Sequence, residues 1–277
     1  MMQIAALGSG SSGNSLLIRA DKTLLLVDCG FTMKETQSRL QGLGLSLADI
    51  DAILISHEHG DHMRGVGPIS RKFNMPVWLT HGTYHRTRDN RFASYHLFHA
   101  HEPFFIGDIE VDPFPVPHDA AEPCQFVFTH NGTRFANVTD LGVCTPHVRA
   151  KLANVHGLVI ECNYDSDMLR NGPYPPSLQA RIRSEYGHLG NDQAAQLVSQ
   201  IDHSTLQHVL LGHLSEQNNA DAIALAAVQS KLSRDPERAC VLAQHCASQW
   251  FVVSAAQTAS TPAKQTMPLT IDKLQPA

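Results

Sequence analysis

Long apolar runs are missing from this 277-residue chain. No stretch approaches the ~18 uninterrupted apolar residues of a transmembrane helix, and Met1-Met2-Gln3-Ile4 lacks the charged and apolar regions of a secretory signal. The cytoplasm is therefore the expected compartment, with no membrane partner. Paired cysteines are missing too: Cys29, Cys124, Cys144, Cys162, Cys240 and Cys246 are scattered without a C-x-x-C. That spacing suggests neither a zinc ribbon nor a disulfide framework, so most of the six are expected to be buried thiols. A basic excess is absent as well. A formal charge of −5 excludes wholesale nucleic-acid binding through a positive surface, while leaving room for a local site.

What the chain has in abundance is histidine, 17 residues of it. Three fall in the run His57-Glu58-His59-Gly60-Asp61-His62, directly after the apolar segment Ala52 to Ile55. Imidazole and carboxylate are the ligand types that suit zinc, manganese or iron. Alternate residues of an extended turn aim His57 and His59 at one ion, and Asp61 and His62 then point to a neighbouring ion. The competing reading is a polar loop in a His-rich chain, which does not account for the strand-then-loop setting.

Patterning along the chain suggests strands at Gln3 to Leu7, Leu16 to Arg19 and Thr23 to Val27. The loop Gly8-Ser9-Gly10-Ser11-Ser12-Gly13-Asn14 joins the first two. Thr32 and Glu35 form a capping box for a helix through about Leu40, ended by Gly42 and Gly44. Ala52 to Ile55 reads as a buried strand, part of Met63 to Phe73 as a helix, and Val77 to Leu79 as a strand. Residues 81 to 103, with five histidines and three arginines, read as irregular. The segments from Phe104 to Ile109 and from Gln125 to Val138, the latter turning at Asn131-Gly132, read as hairpins.

Beyond Thr145-Pro146, a helix start, strand and helix alternate. The strands are Gly157 to Glu161, Leu206 to Leu211, Val241 to Ala243 and Trp250 to Val253. The helices are Ser177 to Ser184, Asn191 to Ile201 with Asn191 as its N-cap, and Asn219 to Leu232. The fold class is α/β: two mixed β-sheets in a sandwich, with helices on the outer faces. Residues 1–253 are assigned to this domain. Residues 254–277, rich in Ala, Thr, Gln and Pro, are expected to be a disordered or partner-packed tail.

One loop cannot close two coordination spheres, and later strand ends carry further candidate ligands. His118 follows Phe114-Pro115-Val116-Pro117, Asp140 follows Asn137-Val138-Thr139, and His213 follows Val209-Leu210-Leu211-Gly212. Each lies where side chains converge at a sheet rim. Singly, each is compatible with a hydrogen-bonded loop residue; as a set they complete two spheres.

The order H-x-H-x-D-H, then His, Asp and His, resembles the metallo-β-lactamase fold superfamily, and Asp28 matches that family's early Asp at a strand end. Further segments resemble its bacterial YycJ-type branch of exonuclease-like hydrolases. These are Gly8 to Ser15, Glu161-Cys162-Asn163-Tyr164-Asp165, Gly172-Pro173-Tyr174-Pro175, Gly187-His188-Leu189-Gly190-Asn191 and Gly212-His213-Leu214-Ser215. The resemblance runs from about residue 3 to 253. One departure is Gly190, where relatives usually carry Ser.

The resemblance implies a four-layer αβ/βα sandwich. It places His57, His59 and His118 on one ion, Asp61, His62 and His213 on a second, and Asp140 between them, and it makes zinc or manganese, then iron, the expected metals. Asp28 carries no ligand role and is assigned to hold a metal-bound imidazole or loop amide, against the alternative of a plain strand-end cap. The flavodiiron relatives place Glu where this chain has His59, which disfavours oxygen reduction.

Two ions sharing a water lower its pKa enough to supply hydroxide near neutral pH, so hydrolysis is the expected chemistry. Phosphodiesterases related to tRNase Z carry a His upstream of the final ligand, paired with a Glu at a strand end. Here these correspond to His188, as general acid, and Glu161. Asp61, His188 and Glu161 are thus the expected catalytic residues. His188 as a mere helix-start residue is the competing reading.

Ser9, Ser11, Ser12 and Asn14 are candidates to meet a substrate phosphate, a hairpin turn being the alternative. Arg86, Arg88, Arg91, Arg181 and Arg183 are candidates for a nucleic-acid track, against a solvated charged face. The expected activity is a nuclease acting on DNA or RNA ends, with nucleic acid or a nucleotide as substrate and a homodimer compatible with the chain. Hydrolysis of a small thioester, lactone or cyclic phosphate is the alternative within enzymes, and a metal-binding scaffold the alternative outside them.

Overall fold

The apolar runs of the sequence are strands covered on both faces. A computed structural model describes residues 1–232 and 235–255. The first half comprises β1 (Met2–Gly8), β2 (Ser15–Ala20), β3 (Thr23–Val27), α1 (Met33–Gln41), β4 (Ala52–Leu54), α2 (Gly60–Met63), α3 (Val66–Phe73), β5 (Pro76–Thr80), α4 (His81–Arg86) and β6 (Ser94–Phe98). The second comprises β7 (Phe104–Ile106), β8 (Ile109–Pro115), β9 (Cys124–His130), β10 (Thr133–Val138), α5 (Pro146–Lys151), β11 (Gly157–Glu161), α6 (Ser166–Asn171), α7 (Pro176–Ile182), α8 (Asn191–Gln200), β12 (His208–Gly212), α9 (Asp221–Gln229), β13 (Ala239–Val241) and β14 (Phe251–Val253).

Two mixed sheets form, in the orders β14-β1-β2-β3-β4-β5-β6 and β13-β12-β11-β10-β9-β8-β7. The C-terminal strand β14 thus returns to pair antiparallel with β1 of the first sheet. Side chains alternate between cores with the two-residue period of a strand. Ile4, Ala6, Leu16 and Ile18 meet Phe126, Phe128, Val159 and Leu210 between the sheets. Their neighbours Ala5, Leu7 and Leu17 pack instead against Leu40, Val66 and Ile69 of the first sheet's helices. On the far side, Leu158, Ile160 and Leu211 pack against Val148, Leu197, Val198 and Val228. Three cores in series make the four layers, and they explain why these strands read as continuous apolar runs rather than alternating ones.

Phe126 is fully buried in the central core. Phe126→Ala is expected to cost about 3–5 kcal/mol of unfolding free energy, the usual result for an aromatic cavity. Equilibrium denaturant unfolding checks this; a loss under 1 kcal/mol would show that the sheets close over the gap.

Several expectations need correction. Residues 81–103 are not irregular: Thr80 caps α4 by accepting from the Thr83 amide, and β6 joins β5 in parallel at the edge of the first sheet. A short helix and an exposed edge strand leave little apolar period to read. Helix α6 was not anticipated; the Asp165 carboxylate caps it by accepting from the amides of Asp167 and Met168. The box at Thr32 is half formed, since its hydroxyl accepts from the Glu35 amide while Glu35 pairs with Arg39 at 2.6 Å.

Gly190, not Asn191, is the N-cap of α8, and the Asn191 amide is instead paired with Asn219 in both directions at 2.9 Å. All six cysteines are free thiols, but only Cys29, Cys124 and Cys162 are buried. Of the expected C-terminal tail, Ser254 and Ala255 hydrogen-bond Gln207 and Thr133, and residues 256–277 lie outside the described residues. Among the described residues no helix is long and apolar enough to cross a membrane.

A candidate dinuclear metal centre

Parallel pairing brings strand ends together. β3 and β4 run parallel in one sheet and β10, β11 and β12 in the other, so their carboxyl ends share one rim, where ligands collect in open α/β sheets. Asp28 follows β3, the histidine run follows β4, Asp140 follows β10, Glu161 ends β11 and His213 follows β12. Asp28, Asp140 and His213 all turn off their strands with φ between +52° and +57°. Such left-handed backbone is uncommon outside glycine and costs on the order of 1–3 kcal/mol, so it persists where surrounding contacts enforce it.

The histidine run is fastened by backbone. The Asn14 amide donates to the Asp61 carbonyl at 2.8 Å, and the Cys29 amide donates to the His62 carbonyl at 2.7 Å. Gly30 lies so close that a Cβ there would fall 1.7 Å from the Asp61 carbonyl oxygen, which reserves the position for glycine.

Four of the five ligand-type rings have one nitrogen held by the protein and the other aimed inward. His57 Nδ1 lies 2.9 Å from the Ser56 hydroxyl, His62 Nδ1 2.8 Å from Asp28 Oδ2, and His118 Nδ1 3.1 Å from the Gly187 carbonyl. His213 Nδ1 lies 2.7 Å from Glu161 Oε1. On the inward side, His118 Nε2 and His59 Nδ1 face each other at 3.3 Å. Asp61 Oδ2 lies 3.4 Å from His62 Nε2 and 3.5 Å from His213 Nε2.

The side chains therefore gather as His57/His59/His118 and as Asp61/His62/His213, each set with its donor atoms within 4.8 Å of one another. Asp140 reaches both, with Oδ2 3.2 Å from His62 Nε2 and Oδ1 3.7 Å from His118 Nε2. His57 Nε2 and Asp140 Oδ2 are buried without a hydrogen-bond partner among the described residues. Buried polar atoms are almost always satisfied, and two orphans at the centre of seven convergent ligands fit a pair of divalent cations.

The charges say the same. Burial and the neighbouring His62 push the His57 imidazole well below its ordinary value. Burial opposes charge on His62 and His213 as well, but Asp140 with Asp61 and Asp28 outweighs it at His62, and Asp140 with Asp61 and Glu161 at His213. Both imidazoles are driven upward. A buried pocket of carboxylates that favours positive charge suits cations.

Glu161 is fully buried and spends both oxygens. Oε1 lies 2.8 Å from His188 Nδ1 as well as 2.7 Å from His213 Nδ1, and Oε2 accepts from the amides of Leu141 and Leu189, each at 3.0 Å. Burial alone would raise its pKa, but His188 and His213 hold it at about 2. The expected His188–Glu161 pair is thus present, with an addition: the same carboxylate also orients His213, a ring of the candidate metal cluster. Nothing in the spacing of Glu161 and His213 signals that second contact. Burial disfavours charge on His188, yet Glu161 overcomes it and raises the pKa of this ring.

Within the Ser/Gly loop, Ser9 Oγ accepts from the His213 amide at 2.8 Å and Asn14 Nδ2 reaches Asp61 Oδ2 at 3.3 Å. These two brace the ligands. The Ser12 amide turns to Gln244 Oε1 at 3.0 Å, while Ser11 lines the cleft above the cluster. Gly190 carries no side chain where the Tyr164 ring sits, a Cβ falling 2.8 Å from it.

The cleft has a volume of ≈ 250 Å³. His59, Asp61, Asp140, His188 and His213 form one wall, and of the five arginines proposed for a track only Arg181 lines it. Asp119 and Ser56 went unrecognised in the sequence; each sits beside a histidine of the cluster, which is the only signal they offered.

Comparison with known proteins agrees with the geometry. Residues 23–214 match the beta-lactamase superfamily domain. Over 239 residues the chain is 34% identical to "Exodeoxyribonuclease YycJ" of Bacillus anthracis, covering 83% of this chain and 89% of that one. It is also 34% identical over 234 residues to "Exodeoxyribonuclease WalJ" of Streptococcus pneumoniae serotype 2 (strain D39), covering 82% and 87%. The structure of the metallo-beta-lactamase fold protein YhfI from Bacillus subtilis matches with a TM-score of 0.71 at 16% identity, over 89% of this chain and 98% of that one. The chain belongs to the metallo-β-lactamase fold superfamily, in the branch of YycJ and WalJ.

Proposed function

We propose that this protein is a dinuclear metal-dependent phosphodiesterase that cleaves nucleotides from DNA ends. The observation that carries the reading is His188, held 2.8 Å from the buried Glu161 and lining the same cleft as His59, Asp61, Asp140 and His213. Two of its relatives, matched over most of their length, are named exodeoxyribonucleases, which supports the choice of substrate. His57, His59 and His118 would hold one ion, Asp61, His62 and His213 the other, and Asp140 both; the nitrogen and oxygen donors suit zinc or manganese, and iron after them. Two such ions supply a water-derived nucleophile at neutral pH and Lewis acidity toward the phosphoryl oxygens.

The chain's own groups complete the chemistry. With Nδ1 donating to Glu161, His188 has Nε2 left for the cleft, where it gives a proton to the leaving oxygen. Glu161 raises the pKa of that ring and holds it in register. Asp28 and Ser56 fix the tautomers of His62 and His57, so their Nε2 lone pairs face inward.

Asp61→Ala and His213→Ala are each expected to lower metal content from two ions toward one and to remove activity, since both residues serve the same ion. Elemental analysis after dialysis reads this directly, and two ions retained in either variant would contradict the assignment. Assaying bis-p-nitrophenyl phosphate beside a thioester tests the reaction class. Turnover of the diester alone supports the proposal, and turnover of the thioester alone overturns it.

A further inference from the structure

Helix α7 contains no buried residue, yet it is not polar on all sides. Tyr174, Leu178 and Ile182 stand four residues apart, on one face of the helix and the turn before it. All three line the cleft that His59, Asp61, Asp140 and His213 of the ligand cluster also line. An apolar stripe on a helix normally faces a core; this one is half-exposed and faces the space above the metal site.

The stripe is also held rigid and in register with the catalytic loop. Pro173, Pro175 and Pro176 restrict the backbone around Tyr174, whose carbonyl accepts from Gln179 Nε2 at 2.9 Å. The His188 amide donates to the Ile182 carbonyl at 2.9 Å, so the stripe and His188 are joined directly. Gly187 permits this approach, since a Cβ there would lie 2.2 Å from the same carbonyl oxygen.

Beside the stripe, Arg181 reaches the cleft from an exposed position. Asp119 Oδ2 takes its Nε at 2.6 Å and its Nη2 at 2.5 Å. Its Nη1 makes no hydrogen bond among the described residues. Asp119 is anchored in turn, its amide donating to the Tyr186 carbonyl at 3.0 Å. A guanidinium held by one edge and open at the other is set up to receive an anion.

We propose that this wall is a subsite for the terminal nucleotide of the strand, with the base lying on Tyr174, Leu178 and Ile182 and a phosphate of that strand meeting Arg181. Charge complementarity selects the occupant: a flat apolar ring system on the stripe, with anionic groups at both the arginine and the metal cluster. The cleft's ≈ 250 Å³ falls just below the about 300–1,000 Å³ of enclosed ligand sites, so it suits one nucleotide unit held at an open cleft rather than a longer stretch of strand. The inference rests on the phosphodiesterase reading for the class of ligand. It adds which residues meet the base and a phosphate of the strand.

The test is calorimetric titration of the metal-loaded protein with 2′-deoxyadenosine 5′-monophosphate and with 2-deoxyribose 5-phosphate, which lacks the base. The nucleotide is expected to bind at least about tenfold more tightly, the scale of one base stacking on a side-chain platform. Leu178→Ala combined with Ile182→Ala should erase that difference while leaving the sugar phosphate unchanged, and Tyr174→Ala should reduce it. Arg181→Met should weaken both ligands alike. Equal affinities in the parent protein, or a difference that survives the double substitution, overturns the subsite. Because binding is read without turnover, a protein that prefers the nucleotide but leaves bis-p-nitrophenyl phosphate intact retains the subsite and refutes the hydrolase. Diester cleavage without base preference does the reverse.

Discussion

Asp140→Ala is expected to cripple hydrolysis, with rates falling by at least about 10²- to 10³-fold, the scale on which a single preorganised electrostatic group acts, and to leave the protein short of bound metal. Among the described residues Asp140 is the one carboxylate that approaches both ligand sets, 3.2 Å from His62 and 3.7 Å from His118. It is also the first carboxylate acting to charge both His62 and His213. Removing it leaves two buried imidazoles without their main counter-charge, a change that costs about 3–5 kcal/mol when a buried pair is broken. Metal-free Asp140→Ala should therefore unfold at lower denaturant than the metal-free parent. Asp140→Asn, which keeps shape and loses charge, separates the two effects: it should fold better than the alanine variant yet remain inactive and metal-poor. Full activity in Asp140→Asn would remove the bridging role.

His188→Ala should behave differently. Both ions are retained, and phosphodiester cleavage slows by about 10²- to 10⁴-fold, the usual contribution of a positioned general acid. The retention follows from Glu161, which still binds His213 at 2.7 Å and two backbone amides after the ring is gone. A substrate whose leaving group needs no proton, such as a p-nitrophenyl ester, should lose far less than an oligonucleotide. Equal losses on both, or loss of metal, would make His188 a structural residue.

The sequence carried the cluster because ligands of this kind are short-range signals. His57, His59, Asp61 and His62 share one turn, and His118, Asp140 and His213 each sit just past an apolar strand, where the rim of a sheet gathers side chains. The sandwich was legible for a similar reason, since strands buried on both faces read as unbroken apolar runs. What stayed hidden depends on contacts between distant segments. Glu161 meets His213 across 52 positions, and Ser9 meets the His213 amide across 204. Helix α4 and strand β6 were missed because one is six residues long and the other exposes its outer residues, so neither shows a period. Asn191 was read as a cap because its type is common there, but its amide is committed to Asn219.

The convergence of seven side chains on two cations is tested most directly by diffraction from metal-loaded crystals, measured on either side of the metal's absorption edge. Two anomalous peaks per chain are expected, one among His57, His59 and His118 and the other among Asp61, His62 and His213, with Asp140 between them. A single peak, or peaks away from these residues, would contradict the account.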